Sequence, residues 1–496
     1  LPYRRSGVRE FVLDLPAEQY DTEGYQRMPV GYPYPFLFDI VDETGAKLDY
    51  AVVDVQDVSM GMENESGGAQ KLKVRRHRIL MDVELPSMGY RSFGIAKREP
   101  RYVAAPQPAG ERGHIAQSGG VLENEFLKVK INSNGTFDLT DKESGIIREG
   151  MHYFEDRVST GDWPHLDPAA IKDSVVTSLG LNAVVTMDEA NPQRGIYRIE
   201  MSLPVPKEAT GAWYRSSDTV DIPITVVLTL SKGSHRLDVR TKIDNRAKDH
   251  RLFVMLPTKV QTDTVSVETP FAVEERNFIP RDVGDNSEAD YRYQPMQNFI
   301  DMSDGTNGLA VINKGMREYA VCDDPDRTVS LTLLRTYRAY LNANTDMTPE
   351  EFARYPETHC PGELEFEYAI CPHVGDWQEG GVMAETYDFK APIRAIQGPA
   401  KKGELPAMQS FFTVEPEGKL MLSALCQGHD GEGAVLRLWN TADEAVEAKI
   451  TTTLPFMLAA KVNMEESETL EKLELSDGVV AVSMRKAEIA TIRFCR

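Results

Sequence analysis

Two short segments bring together residue types that could act on a sugar. Segment 154–165, Phe154-Glu-Asp-Arg-Val-Ser-Thr-Gly-Asp-Trp-Pro-His165, sets Trp163 beside Asp162 and His165. Segment 361–377 ends with His373, Asp376 and Trp377. An aromatic face supplies apolar area on which a pyranose ring can stack, and a carboxylate accepts hydrogen bonds from hydroxyls. On residue types alone, 154–165 reads equally well as a plain surface loop, kept out of a sheet by Gly161 and Pro164. Glycoside hydrolysis itself needs two carboxyl groups flanking the bond, about 5–5.5 Å apart in retaining enzymes. With 77 Asp plus Glu, spacing cannot select such a pair.

Other chemistries lack their signatures. There is no His-Glu-x-x-His, Gly-x-Ser-x-Gly, Walker loop or dinucleotide fingerprint. The nine histidines do not pair at metal-ligand spacing, so each reads as structural, with His165 and His373 the two to watch. Gly398-Pro-Ala-Lys-Lys-Gly403 lacks a following Lys-Ser/Thr and reads as a linker. The sequons Asn64-Glu-Ser66 and Asn134-Gly-Thr136 are too common by chance to carry weight.

The elements that position these residues are strands. Leu364, Phe366, Tyr368 and Ile370 alternate with Glu363, Glu365, Glu367 and Ala369, a half-buried strand with its glutamates on the solvated face. Pro372, which has no N–H, is expected to end that ladder and leave His373, Asp376 and Trp377 at a sheet end. Val220–Leu230 and Leu237–Ile243 alternate around the turn 231–235. Asn132-Ser-Asn-Gly135 predicts a hairpin joining 126–131 to 136–140. Val435–Asn440 and Ile489–Phe494 alternate near the end. The clearest helix signal is the capping box Thr348-Pro-Glu-Glu351, which predicts one short helix from Pro349 to about Arg354.

This pattern predicts an all-β chain of tandem β-sandwiches. The expected division is a small sandwich at 1–100, a linker at 101–118, a large sandwich at 119–395, a linker at 396–403 and a terminal sandwich at 404–496. A net charge of −22 argues against nucleic acid as a partner, since phosphate binding needs clustered lysine and arginine. No apolar run approaches the roughly 20 residues of a membrane span, so no membrane partner is expected. Five scattered cysteines, an odd number without Cys-x-x-Cys, fit a reducing compartment, and a cytoplasmic location is expected. Self-association into a homo-oligomer stays open. The chain starts at Leu1, not Met, and is expected to be a piece of something longer.

Several motifs in order resemble the C-terminal β-region of glycoside hydrolase family 38, the α-mannosidases. They are Leu85-Pro-Ser-Met-Gly-Tyr90, Leu122-Glu-Asn-Glu-Phe-Leu-Lys-Val129, Asn134-Gly-Thr136 with Asp141-Lys-Glu-Ser-Gly145, Val239–Asn245 with Asp249-His-Arg-Leu252, Leu331-Thr-Leu-Leu-Arg335, and 361–377. The resemblance implies a large galactose-mutarotase-like supersandwich in the middle of the chain. It also implies a zinc-bearing catalytic barrel and a helical bundle upstream of Leu1. No position here matches the family's nucleophile or zinc ligands, so no catalytic residue, metal ligand or cofactor is expected within the chain. Glu155-Asp156 and Gly161-Asp162 resemble part of a loop found in many bacterial members and expected at the sugar cleft, although Trp163-Pro-His165 replaces its Tyr-Asn-Tyr portion. Asp162, Trp163, His165 and Arg335 are therefore the expected substrate-binding residues. The expected role is the non-catalytic C-terminal region of a retaining enzyme that hydrolyses terminal α-mannosides, walling its cleft and contacting carbohydrate only through the parent enzyme. The alternatives are a stand-alone carbohydrate-binding scaffold and a mutarotase-like sugar epimerase, which would need a His and a Glu facing each other in one cleft.

Overall fold

The computed structural model describes residues 1–16, 38–63, 69–97, 113–159, 175–210, 214–278, 293–336, 355–399 and 403–496. They form two compact units: residues 1–114 with 191–194 and 391–496, and residues 115–190 with 195–390. The helix expected at Pro349–Arg354 and the segment 160–174 lie outside the described residues.

The second unit is a sandwich of a six-stranded and a nine-stranded antiparallel sheet, with a five-stranded sheet made by residues 116–151. The six-stranded sheet runs Val176–Thr177, Tyr153–Val158, His250–Leu256, Val329–Arg335, Glu318–Val321 and Gln294–Pro295. The centre of the nine-stranded sheet is Thr219–Ser231, Leu237–Asn245, Gly362–Val374 and Asn307–Asn313. Period-two burial is plain in the first of these strands: Ile222, Ile224, Val226, Leu228 and Leu230 all point into the core. There they join Phe154, Leu252, Val254 and Leu331 from the facing sheet and Phe137 and Leu139 from the five-stranded one. Each such side chain contributes about 1.5–3 kcal/mol of burial, and that surplus holds the sheets together.

The expected hairpin at Asn132–Gly135 forms, with Leu127–Ile131 paired to Phe137–Asp141. Gly135 is needed there twice over. Its φ is +85°, and a Cβ would stand 2.4 Å from Met201 Cε. The strand Gly362–Val374 does not stop at Pro372, contrary to the expectation from its missing N–H. Pro372 pairs with Leu309, and His373 pairs with Gly308. The reason is one-sided pairing. The neighbour Leu237–Asn245 ends at Ile370, so beyond it the strand has a ladder on one side only, where proline is tolerated. The start of segment 154–165 is also strand rather than loop, because Phe154–Val158 pairs residue for residue with His250–Val254. A helix at Val382–Lys390 carries no strong amphipathic signature and was not foreseen. It is anchored from outside its own sequence by Arg236, which pairs with Glu385 and, at 3.3 Å, with Asp388.

In the first unit, Arg5–Pro16, Ala69–Leu85 and Tyr50–Glu63 form a three-stranded sheet. Residues 412–495 build a sandwich of three and five strands around Phe412, Leu436, Leu438, Ile450, Ile492 and Phe494. Gly89–Arg91 pairs with Met408–Ser410, joining the start of the chain to its end. Gly89 is what permits the approach, since a Cβ would stand 1.9 Å from the Gln409 carbonyl oxygen. No helix among the described residues is long and apolar enough to cross a membrane.

Two substitutions test this packing. Leu228→Ala should lower the unfolding free energy by about 2–5 kcal/mol in urea titration, and Thr225→Ala, on the other face of the same strand, by no more than about 1 kcal/mol. Gly89→Ala should open the 89–91/408–410 pairing. Hydrogen exchange would then be faster at the amides of Ser92 and Phe411, which now donate to the carbonyls of Ala407 and Met88.

Candidate functional site

The two faces of the six-stranded sheet differ in chemistry. On its inner face Phe154, Leu252, Val254 and Leu331 enter the core. On its outer face the register places Arg157, Arg251 and Arg335 side by side on three adjacent strands. Like charges directly opposite one another in a sheet are unfavourable, so the row needs compensation. Glu155 pairs with Arg157. Burial works against the Arg157 charge, but the neighbouring Glu155 carboxylate outweighs it and holds the guanidinium pKa above its usual value. Arg251 is 4% exposed and donates to Glu318 Oε1 at 2.6 Å. The Thr332 hydroxyl donates to the same oxygen at 2.8 Å. The Tyr293 ring lies 4.0 Å from the Arg251 guanidinium carbon, and the Phe253 ring lies 5.2 Å away. Arg335 closes the row at the end of its strand and lines an open cavity of about 440 Å³ with Lys314, Arg317, Glu318, Thr332 and Phe366.

At the same sheet edge a polar network is sealed into the inner face. Asp156 is fully buried; it pairs with Arg215 through one oxygen and lies 2.5 Å from His250 Nδ1 through the other. His250 Nε2 lies 3.0 Å from Asn245 Oδ1. The Asn245 amide orientation follows from its other bonds, since Nδ2 donates to the carbonyls of His359 (2.8 Å) and Cys360 (3.1 Å). Both ring nitrogens of His250 thus lie within hydrogen-bond distance of a side-chain oxygen. The His250 N–H donates to Thr336 Oγ1 at 2.8 Å, and the Ser159 hydroxyl donates to the Thr336 carbonyl at 2.7 Å. Ser159 and Thr336, the last described residues before 160–174 and 337–354, are therefore in direct contact.

A family model described as glycosyl hydrolases family 38 C-terminal domain matches residues 122–339, and one described as the family 38 C-terminal beta sandwich domain matches residues 419–492. The chain belongs to glycoside hydrolase family 38, as its C-terminal β-region. It is 28% identical over 392 residues to a putative mannosylglycerate hydrolase of Halalkalibacterium halodurans, covering 76% of this chain and 42% of that protein. It is 23% identical over 287 residues to alpha-mannosidase 2C1 of Mus musculus, covering 57% and 25% respectively. The crystal structure of an alpha-mannosidase from Enterococcus faecalis V583 superposes with a TM-score of 0.81 at 23% identity, over 99% of this chain and 55% of that one, a likeness of fold. The chain spans less than half the length of the curated relatives it matches.

Most family 38 motifs in this chain turn out to be architectural. In Asp249-His-Arg-Leu252, His250 anchors the buried network, Arg251 joins the outer row and Leu252 enters the core. The end of 361–377 is packed as structure. His373 lies 2.7 Å from Asp301 and is wedged between Gly308 and Gly380, where a Cβ would come within 2.2 Å and 2.4 Å of its ring. Burial opposes the His373 charge, but Asp301 outweighs it and raises the pKa. Asp376 caps the turn before the helix by accepting from the amides of Gln378 (2.8 Å) and Glu379 (2.9 Å), and Trp377 packs against Phe299. Glu363 and Glu365 are exposed and Glu367 is half-buried, each close to a lysine or arginine.

Of the expected substrate residues, Arg335 lines the cavity, and Asp162, Trp163 and His165 lie outside the described residues. Sequence reading missed Arg157, Arg251, Tyr293 and Glu318. Arg157 and Arg251 were visible inside motifs, but only strand register reveals that they adjoin Arg335. Among the described residues no group of three or more His, Cys, Asp or Glu could hold a metal ion. The cysteines are all free thiols.

A buried histidine gives a pH test. His152 packs between Phe137, Phe154 and Tyr368, and its Nε2 lies 2.6 Å from the Tyr368 hydroxyl. Burial lowers its pKa to about 4, against about 6.5 in the unfolded chain. Between those values the unfolded chain binds a proton that the folded one refuses, so stability falls as pH drops through this window. Urea unfolding from pH 7 to pH 4 should show a loss on the order of 3 kcal/mol from this residue. The slope should flatten in His152→Phe, whatever that substitution does to stability at pH 7.

Proposed function

We propose that this chain is the C-terminal region of a retaining α-mannosidase that hydrolyses terminal α-mannosides, and that it forms one wall of the substrate cleft. The catalytic barrel, with its zinc, would then lie outside these residues. The sandwiches at 1–100, 119–395 and 404–496 would stabilise that barrel. Carbohydrate would meet this region at Arg335, Asp162, Trp163 and His165.

One contact carries this reading. The Ser159 hydroxyl donates to the Thr336 carbonyl at 2.7 Å. The strand that leads to Asp162 and the strand that ends in Arg335 therefore finish side by side. Segments 177 positions apart in sequence are rooted at one sheet edge, beside an open cavity, as a cleft wall requires. The epimerase alternative gains no support from the buried histidines. His152, His250 and His373 all face internal partners.

In the full-length protein, Arg335→Ala and Asp162→Ala should each lower kcat/KM for a chromogenic α-mannoside by about 10- to 100-fold, the loss of one or two charge-assisted hydrogen bonds. Wild-type kinetics in both variants would remove this edge from the cleft. The chain of 496 residues on its own should not hydrolyse the same substrate. Activity above a mock preparation would place the catalytic carboxylates within it.

A further inference from the structure

We propose that Glu318 is a sugar-binding residue: it offers one carboxylate oxygen to the open cavity on the sheet's outer face and accepts hydroxyl hydrogens of a neutral sugar there. This deepens the cleft-wall reading above and rests on it. An ionised carboxylate suits that task because it only accepts, and sugar hydroxyls donate.

Glu318 opens the strand Glu318–Val321, one step beyond the Tyr319–Leu331 pair, which brings it to Thr332. Both donors that hold it go to the same oxygen. Arg251 Nη2 donates to Oε1 at 2.6 Å, and the Thr332 hydroxyl donates to Oε1 at 2.8 Å. Among the described residues nothing bonds Oε2. The Glu318 side chain keeps 29% of its surface exposed and lines the cavity of about 440 Å³.

An ion pair serving stability alone would be made differently. Guanidinium and carboxylate frequently meet fork to fork, through two parallel N–H···O bonds. A side-on pair through Nε and Nη2 of Arg251 would use both oxygens of Glu318. Instead Arg251 Nε is buried and has no partner. A buried N–H left unpaired costs stability, so the one-oxygen geometry needs a reason. Arg251, only 4% exposed, is held by the Tyr293 ring 4.0 Å from its guanidinium carbon, and Thr332 fixes Oε1 from the other side. Together they present Oε2 in a set position. The rest of the wall suits a sugar. Phe366 and Leu333 supply apolar area. Lys314 and Arg317 have more N–H donors than their bonds to Glu367 and to the Gln297 carbonyl use. The volume is within the usual range for small-molecule sites.

Steady-state kinetics of the full-length protein on a chromogenic α-mannoside and on α-linked mannobioses test the proposal. Glu318→Gln keeps an amide oxygen for Arg251 and Thr332 and puts an NH2 donor where Oε2 was. It should lower kcat/KM by about tenfold or more on at least one substrate class. A loss on the chromogenic substrate puts the mannosyl ring at Glu318, and a loss on the mannobioses alone puts the departing sugar there. Thr332→Val, which removes one of the two bonds positioning Glu318, should cost less and act on KM rather than kcat. A thermal midpoint for each variant separates lost binding from lost folding. Removing the hydroxyls of the affected sugar one at a time gives the decisive readout: for one hydroxyl, the penalty seen in the wild type should vanish in Glu318→Gln. Glu318→Gln kinetics within about twofold of wild type on every substrate, or deoxygenation penalties that simply add, overturn the Glu318 assignment. If Arg335→Ala and Asp162→Ala are impaired in that case, the cleft-wall reading stands. If they too behave as wild type, both fall.

Discussion

A single buried carboxylate organises the edge of the large sandwich. Asp156 has no exposed surface, and its two oxygens take Arg215 and His250. An isolated charge in that position would cost several kcal/mol, so the partners are obligatory rather than decorative. Each partner comes from a different part of the chain, and His250 passes the constraint to Asn245 and to Thr336. Three strand ends are thereby held at one place. The core supplies most of the free energy of the sandwich, but it is non-directional. The buried network adds direction at the edge where the chain departs toward 160–174 and 337–354.

That edge explains how a sheet with an ordinary apolar inner face can carry a charged outer one. Side chains alternate across a strand, so fixing Asp156 and His250 inward fixes Arg157 and Arg251 outward. The register then brings Arg335 into line. Inner satisfaction and outer display are one geometric fact. The glutamates of the outer face moderate the repulsion, and Tyr293 covers Arg251 with an aromatic ring.

The same economy appears in and around the residues that made the sequence recognisable. Gly308 and Gly380 leave room for His373, Gly89 allows two backbones to meet, and Gly135 turns a hairpin against Met201. Asn245 spends its amide on two loop carbonyls and its oxygen on His250. Such residues make a family motif look functional, and here they hold strands in register.

Local pattern determined much of the fold. The alternation in Val220–Leu230, Leu237–Ile243 and 364–370, and the Asn-Gly turn at 134–135, are properties of a few neighbouring residues, and strands and hairpins follow from them. The family could be read because its motifs stand in order along the chain. What the sequence could not disclose depends on neighbours far away in it. Pro372 stays in its strand because the flanking strand has already ended, and the helix at Val382–Lys390 is tied down by Arg236, some 150 residues earlier. The arginine row is the clearest case. Arg157, Arg251 and Arg335 are 94 and 84 positions apart, and no local pattern relates them. Their adjacency is set by strand register, which the buried core and the Asp156 network select together. A slip of one residue in any of these strands would turn its arginine inward and break the row.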